Sequence, residues 1–210
     1  MFVALELGLR TSTGDATRCV HAFEGDITVG EIHVHEFMSL DGVIDMPMWT
    51  AEYGFPPRMG EIIGGFTSRS SGILLGRTTY EMFEQGWSNR TVEDDPGAPF
   101  FNDTTKYIVS STLTDPTWRN STVIGPYNPA TIRQLLNHVD GDLYMSGSGT
   151  LVRAMLADGL IDQLHLFMYP LTRGAGPRLF PADAKAAAMT LAECEHMDNG
   201  VTYLSYRPIR

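Results

Sequence analysis

The sequence has too little positive charge for a nucleic-acid-binding protein. Lysines and arginines number 15 against 25 aspartates and glutamates, which gives a formal net charge of −10. Nucleic-acid backbones are bound by basic faces, so this balance argues against a nucleic acid as the partner. A small anionic ligand held in one local basic pocket remains compatible with it.

Cysteines and long apolar runs are also scarce. Cys19 and Cys194 are the two cysteines, and they lie far apart without the spacing of a metal site. No apolar run reaches membrane-spanning length. The first ten residues, MFVALELGLR, lack the basic start of a signal peptide and include Glu6. These absences predict a reduced, cytoplasmic protein with no membrane partner.

The sequence does contain 43% hydrophobic residues, arranged as apolar strands that alternate with helical patterns. From residue 31 the predicted order is β-α-β-α-β-β-α-β-α-β-β-β, and it closes in a hairpin. Because crossover helices require parallel neighbours, we predict one α/β domain over 31–210, with helices on both faces of a mixed, mostly parallel sheet. The final hairpin adds antiparallel strands. Residues 1–30 form an N-terminal extension of uncertain role.

The first motif that suggests a functional site is ILLGRTTYE, in which an apolar strand is followed directly by polar residues. Ligands of α/β sheets bind beyond the carboxyl ends of strands. Gly76 would let a ligand approach the backbone, Thr78 is predicted as a helix N-cap, and Thr79 begins a helix whose free amides favour an anion. The guanidinium of Arg77 suits phosphate. The alternative is a capped helix, ending at Gly86, with an incidental surface arginine.

A second strand ends in glycines within MSGSGTLVRAML. Gly147 and Gly149 remove side chains where a pyrophosphate could meet the N-terminus of the following helix. The G-x-G-x-x-G fingerprint is incomplete because Val152 occupies its last position, and Ser146 breaks the G-x-S-x-G pattern of hydrolases around Ser148. The alternative is a tight strand-to-helix turn.

Other features are less specific. Asp41 and Gly42 form a turn after the first strand, and the following Trp49 could cover a flat ring or plug the edge of the core. His33 and His35 alternate on one strand, but no third ligand is spaced with them, so no metal site is predicted. Another strand is followed by three hydroxyl residues, Ser110, Ser111 and Thr112. They could bind a ribose or its phosphate, but serine and threonine are equally ordinary in turns.

In this order and spacing, the motifs resemble the dihydrofolate-reductase-like superfamily. The match is to the reductase (C-terminal) domain of the bacterial riboflavin deaminase-reductase and its stand-alone relatives. It covers about residues 31–207 through SLDG, LLGRTTYE, YIVSST, GSGTLVRAMLADGLIDQLHL and GAGPRLF. The resemblance implies a three-layer dihydrofolate-reductase-like fold, NADPH as the hydride donor and a homodimer. The strand LHLFMYPL and the C-terminal hairpin are the candidate dimer interface.

The resemblance also implies roles for particular residues. Asp41 and Glu52 are the candidate proton sources, and Ser146 stands where riboflavin reductases usually carry a substrate-binding glutamate. The residues implied in cofactor binding are Gly76, Arg77, Thr78, Thr79, Ser110, Ser111, Thr112, Gly147, Ser148, Gly149, Thr150, Leu151 and Trp49.

The expected function is hydride transfer from NADPH to a C=N or C=O bond of a small polar heterocycle. The first substrate expected from the resemblance is 5-amino-6-(5-phosphoribosylamino)uracil. Two features depart from the family, namely Ser146 and the stretch MFEQG where relatives carry ADDP. A pterin substrate is therefore one alternative. A nucleotide-binding protein without catalytic activity is another.

Overall fold

The computed structural model describes residues 30–45 and 47–210, so residues 1–29, which make up nearly all of the predicted extension, lie outside it. Its eight strands are β1 (Ile32–Ser39), β2 (Ser70–Gly76), β3 (Thr105–Val109), β4 (Ser121–Gly125), β5 (Asp142–Met145), β6 (Gln163–Tyr169), β7 (Met189–His196) and β8 (Thr202–Pro208). They form one sheet in the order β4-β3-β2-β5-β1-β6-β8-β7. Strands β1 to β6 are parallel to one another, whereas β8 is antiparallel to both β6 and β7. The predicted mixed, mostly parallel sheet is confirmed.

Helices fill the crossovers of the sheet. They are a 3-10 helix (Pro47–Tyr53), α1 (Pro57–Thr67), α2 (Arg77–Trp87), α3 (Ala98–Asp103), α4 (Pro129–Leu136) and α5 (Gly149–Ala157). Asn128 is the N-cap of α4, as its side chain accepts a hydrogen bond from the amide of Ala130 at 2.9 Å. Helix α3 was not predicted. It forms because Phe100 and Phe101, at the end of a polar loop, pack against the aromatic cluster between α2 and the sheet.

Helix α2 differs from its prediction at both ends. It begins at Arg77, with Gly76 rather than Thr78 in the N-cap position. It also continues through Gly86 to Trp87, whose ring stacks on Phe101 with 4.2 Å between the ring centroids. This tertiary contact outweighs the modest cost of one glycine inside the helix, about 1 kcal/mol.

The sheet is the middle of three layers, because side chains alternate between its two faces. One face packs against α4 and α5 through Ile32, Val34, Leu74, Leu143, Met145, Ile132, Val152 and Met155. The opposite face is covered by α1, α2 and α3 through Ile73, Leu75, Ile108, Tyr144, Phe66, Tyr80 and Phe101. Each such side chain contributes about 1.5–3 kcal/mol when it is fully buried.

The edges of the sheet correct one interface prediction. The segment LHLFMYPL begins as β6, which lies between β1 and β8 and is almost wholly buried. It therefore offers no free strand to a second subunit. Strand β7 is one of the two edge strands, and most of its residues are exposed, including Leu191 and Cys194.

The strand order places several loops at one edge. Strands β1, β2, β3 and β5 are mutually parallel neighbours, so the loops after their carboxyl ends emerge side by side. Leu74 on β2 lies opposite Met145 on β5, which makes the turns after these two strands direct neighbours. Among the residues that the structure describes, no helix combines the length and apolarity needed to cross a bilayer.

Candidate functional site

The turns after β2 and β5 are packed against each other. A Cβ atom added to Gly76 would lie 2.5 Å from Oγ of Ser148 and 3.3 Å from its backbone nitrogen. Gly147 has a φ of +69°, and a Cβ there would lie 2.8 Å from Oγ1 of Thr79. The peptide bond between Gly147 and Ser148 is cis. The sequence predicts that these glycines make room for a ligand, but the structure shows that each first makes room for the other turn.

Two helix N-termini meet at this contact. Helix α2 begins after Gly76 and α5 begins after Ser148, and neither N-cap residue makes a side-chain hydrogen bond to its helix. The first backbone amides of both helices are therefore without a capping side chain, which favours an anion. Thr78 and Thr150 are exposed here, whereas Thr79 is buried.

Arg77 is the cation nearest to the start of α2. Its side chain is 51% exposed and pairs with Glu81 one helical turn later at 3.3 Å. An exposed pair of this kind is worth well under about 1 kcal/mol, so the guanidinium is available to a ligand. Leu151, in contrast, is 5% exposed and packs in the core beneath α5. Any contact of Leu151 with a cofactor would therefore be made by its backbone.

The hydroxyl turn after β3 divides into one buried and two exposed residues. Oγ of Ser110 accepts hydrogen bonds from the amides of Thr112 at 3.1 Å and Leu113 at 2.9 Å. It is 8% exposed and stabilises its own turn. Ser111 and Thr112 expose their side chains at the same sheet edge, so they are the better candidates for a ligand contact.

Asp41 is hydrogen-bonded on several sides. Its carboxylate accepts from Oγ of Ser39 at 2.7 Å and from the amides of Arg173 at 3.0 Å and Gly174 at 2.8 Å. Arg178 lies 3.3 Å away. The Ser39 hydroxyl and these amides hold the pKa of Asp41 well below its usual range. Such a carboxylate is a poor proton donor at neutral pH, so the geometry disfavours the predicted catalytic role and gives Asp41 a structural one.

The 3-10 helix carries the other two predicted residues. Trp49 packs edge-on against Tyr169, with 5.2 Å between ring centroids, and its indole donates to the carbonyl of Asp45 at 3.2 Å. This geometry fits a residue that closes the edge of the aromatic core better than one that is free to cover a ligand. Glu52 is exposed on the same helix, and its role as a proton source stays a prediction.

The two strand histidines belong to two separate buried hydrogen-bonded groups. Nδ1 of His33 lies 3.0 Å from Nε2 of His165, whose Nδ1 lies 2.7 Å from the hydroxyl of Tyr203. Nδ1 of His35 lies 3.0 Å from the hydroxyl of Tyr144. In the described ranges, no group of three or more His, Cys, Asp and Glu side chains is arranged to hold a metal ion.

Ser146 lies immediately after β5, on the side of the sheet that carries these histidines. It shares a sheet face with Tyr144, whose own pKa is raised by burial. Tyr144 in turn contacts His35, which is buried and keeps one ring nitrogen without a hydrogen-bond partner.

A shallow cleft beside α5 is lined by two arginines. Its volume is about 430 Å³, and Arg153 and Arg178 contribute the charges. Arg153 donates to the carbonyl of Arg178 at 2.9 Å and to Oγ1 of Thr150 at 3.2 Å. The cleft is therefore joined to the first turn of α5 and suits an anionic group.

Sequence reasoning missed Glu36, a buried carboxyl in the middle of this site. It is 6% exposed on β1, and its Oε1 has no hydrogen-bond partner. Burial raises the pKa of Glu36 to about 8, although the nearby Gly147 amide opposes that shift. The signal was present in IHVHEFMS, where Ile32, Val34 and Met38 share one strand face with a glutamate.

The comparison with known families agrees with this architecture. Residues 31–203 match the family described as the RibD C-terminal domain. The chain belongs to this family. A search of curated proteins found no significant match.

Solved structures share the fold at low sequence identity. A Shewanella sp. PV-4 protein described under riboflavin biosynthesis is 19% identical, with a TM-score of 0.71 over 86% of this chain and 99% of its own. Dihydrofolate reductase from Enterococcus faecalis, solved with NADP(H), is 16% identical, with a TM-score of 0.54 over 87% and 98%. The Thermotoga maritima deaminase/5-amino-6-(5-phosphoribosylamino)uracil reductase is 14% identical, with a TM-score of 0.61 over 86% and 57%. The predicted dihydrofolate-reductase-like fold is confirmed.

Proposed function

We propose that the protein is a reductase that binds NADPH across the carboxyl edge of β2, β3 and β5. The observation that carries this proposal is the contact between Gly76 and Ser148. It holds two helix N-termini without side-chain caps at one place, beside an exposed arginine. Membership of the RibD C-terminal domain family supports the same reading.

In this proposal the backbone amides after Gly76 and Ser148 bind the phosphates of the dinucleotide. Arg77, Thr78 and Thr150 add a guanidinium and two hydroxyls that are exposed at the same turns. Ser111 and Thr112 would hold the phosphate of the adenosine ribose. NADPH supplies the hydride, and the protein orients the two reactants and excludes water between them.

The substrate we propose first is a small pyrimidine that carries a phosphorylated sugar, as in the reaction named for the Thermotoga relative. The cleft between Arg153 and Arg178 supports this choice because guanidinium groups suit a phosphate. Ser146 in place of glutamate, and the fully bonded Asp41, favour the alternative of a nucleotide-binding protein without catalysis.

Titration with NADPH and NADH at pH 7, followed by ligand fluorescence, tests the cofactor site. We expect NADPH to bind more tightly than NADH, and Arg77→Ala to weaken NADPH binding about tenfold. The matched control is Arg90→Ala, because Arg90 is also exposed but lies over Trp87 at the opposite end of α2. If neither nucleotide binds, the reductase proposal fails. If Arg90→Ala weakens binding as much as Arg77→Ala, the phosphate assignment fails.

A further inference from the structure

Glu36 is the buried carboxyl closest to the turn that we assign to the ligand. A Cβ atom on Gly147 would lie 3.7 Å from its Oε1 and 2.8 Å from Oγ1 of Thr79. The carboxyl therefore lies directly against the Gly147–Ser148 turn, on the side of the sheet that faces α5. Its position is fixed by β1, which is central in the sheet and pairs with β5 and β6.

The described side chains around Glu36 provide no cation, and the Gly147 amide offsets only part of the effect of burial. The residue paired with Glu36 on the neighbouring strand β6 is Leu166, and the nearby side chain from α2 is the neutral hydroxyl of Thr79. On β5, burial and the nearby Glu36 both raise the pKa of Tyr144. None of the ion pairs among the described residues includes Glu36, and its Oε1 is buried without a partner. A carboxyl in this position is stable in its protonated, neutral form.

Among the described residues, the cations of neighbouring elements form no ion pair with Glu36. Arg77 of α2 pairs with Glu81. Arg153 of α5 donates to the carbonyl of Arg178 and to Thr150. His35, next to Glu36 along β1, points to the opposite face and contacts Tyr144. Ionisation of Glu36 would therefore place an unpaired charge directly beneath the proposed phosphate-binding turn.

We propose that Glu36 is a positioning residue for the dinucleotide, whose neutral carboxyl supports the Gly147–Ser148 turn and whose ionisation weakens binding of the anionic ligand. The inference rests on the proposed function, since it assumes that the ligand phosphates lie at this turn. The residue acts through the turn and through its charge, without contact with the reacting atoms. Glu36→Gln keeps the size and the neutral state of the side chain, and removes only the ionisation.

The first test is a titration with NADPH from pH 6 to 9.5 for the wild type and for Glu36→Gln. The phosphates of NADPH are fully ionised above about pH 7, so they do not change charge over most of this range. We expect the wild-type dissociation constant to be level below about pH 7.5 and to rise about 30-fold by pH 9.5, as a group that titrates near pH 8 requires. We expect the dissociation constant of Glu36→Gln to stay level over the same pH range.

Lys106 titrates in the same range, because burial lowers its pKa to about 8. It lies on β3 with its ammonium group on the carbonyls of Phe101 and Thr104, and it is unchanged in Glu36→Gln. A pH dependence caused by Lys106 would therefore appear equally in both proteins. The same rise in the wild type and in the variant, or no rise in either, would overturn the inference.

A second measurement needs no ligand. The infrared carbonyl band of a protonated carboxylic acid should be present at pH 7 in the wild type, disappear near pH 8 and be missing from Glu36→Gln. Its absence from folded wild-type protein at pH 7 would also overturn the inference, even if the variant does not fold. Failure of both nucleotides to bind at pH 7 would instead contradict the proposed function, so the two failures are distinguishable.

Discussion

Gly76 and Ser148 are in such close contact that one methyl group would separate the two turns of the site. A Cβ on Gly76 would lie 2.5 Å from Oγ of Ser148, a distance that real Cβ atoms do not show. The residues are 72 positions apart in the sequence, and their contact depends on the pairing of β2 with β5. The contact therefore joins the two helix N-termini into a single structural unit.

Gly76→Ala should therefore destabilise the protein by about 1–3 kcal/mol and weaken NADPH binding, because overpacking forces the turns apart. Ser148→Gly removes the opposing side chain, so the double variant should recover part of the lost stability. Urea unfolding of the two single variants and the double variant measures this coupling. Gly86→Ala is the matched control, since nothing lies within 4 Å of its added Cβ. Additive effects of Gly76→Ala and Ser148→Gly would show that the contact does not govern the site.

Asp41→Asn tests whether this aspartate is structural or catalytic. We expect a lower midpoint of urea unfolding, because an amide replaces the carboxylate that accepts from Ser39, Arg173 and Gly174. We expect the dissociation constant for NADPH to change less than about twofold, since the bonds join two loops rather than the ligand turns. Asp45→Asn, an exposed change in the same loop, is the control. Unchanged stability together with loss of hydride transfer by about 10²-fold or more would restore the catalytic role.

The pH dependence of stability should show a maximum near pH 6.5. Burial lowers the pKa of His35 and of His165 to about 3, so below pH 6.5 the unfolded chain binds protons that the native state does not. Stability then falls as the pH falls, by up to about 1.4 kcal/mol per pH unit for each histidine. Glu36 has the opposite sign, because burial raises its pKa to about 8. Between pH 4.5 and 8 its native form retains a proton, so stability falls as the pH rises.

Between pH 4.5 and 6.5 the two histidines outweigh the single glutamate. Above pH 6.5 the effect of Glu36 continues, and close to pH 8 it is opposed by Lys106, whose pKa burial lowers to about 8. Urea unfolding at pH 5, 6.5 and 8 measures the curve. Glu36→Gln should abolish the decline in stability between pH 6.5 and 8. It should leave the loss of stability below pH 6.5 in place. A stability that rises from pH 6.5 to 8 in the wild type would show that Glu36 is ionised in the native protein.

We propose a homodimer formed through the C-terminal hairpin. Strand β7 is an edge strand with unpaired backbone groups on one side, and Leu191 is 49% exposed there. Light scattering after size exclusion should give twice the mass of the 210-residue chain, and Leu191→Glu should shift it toward the monomer. Val92→Glu, a change at another exposed apolar residue, should leave the mass unchanged. A monomeric wild type, or equal effects of both variants, would contradict this interface.

The sequence by itself determined the local elements and the family. The alternation of strands and helices, the Asn128 cap and the polar turns after apolar strands are local patterns, and short-range sterics and hydrogen bonding decide them. Prediction from local sequence failed where contacts with distant residues stabilised a helix. Trp87 extended α2 past Gly86, and Phe100 and Phe101 made a helix in a loop that the sequence marks as polar.

The tertiary structure alone decided which turns meet and which polar groups are buried. Glu36, Thr79 and Gly147 lie on three separate segments, and only the insertion of β5 between β2 and β1 brings them together. The state of Asp41 likewise depends on the amides of Arg173 and Gly174, more than 130 residues away. Burial and charge state are properties of the assembled strand order. A pattern that repeats every two or four residues shows which face a side chain shares, as it does for Glu36, but not which distant groups surround it there.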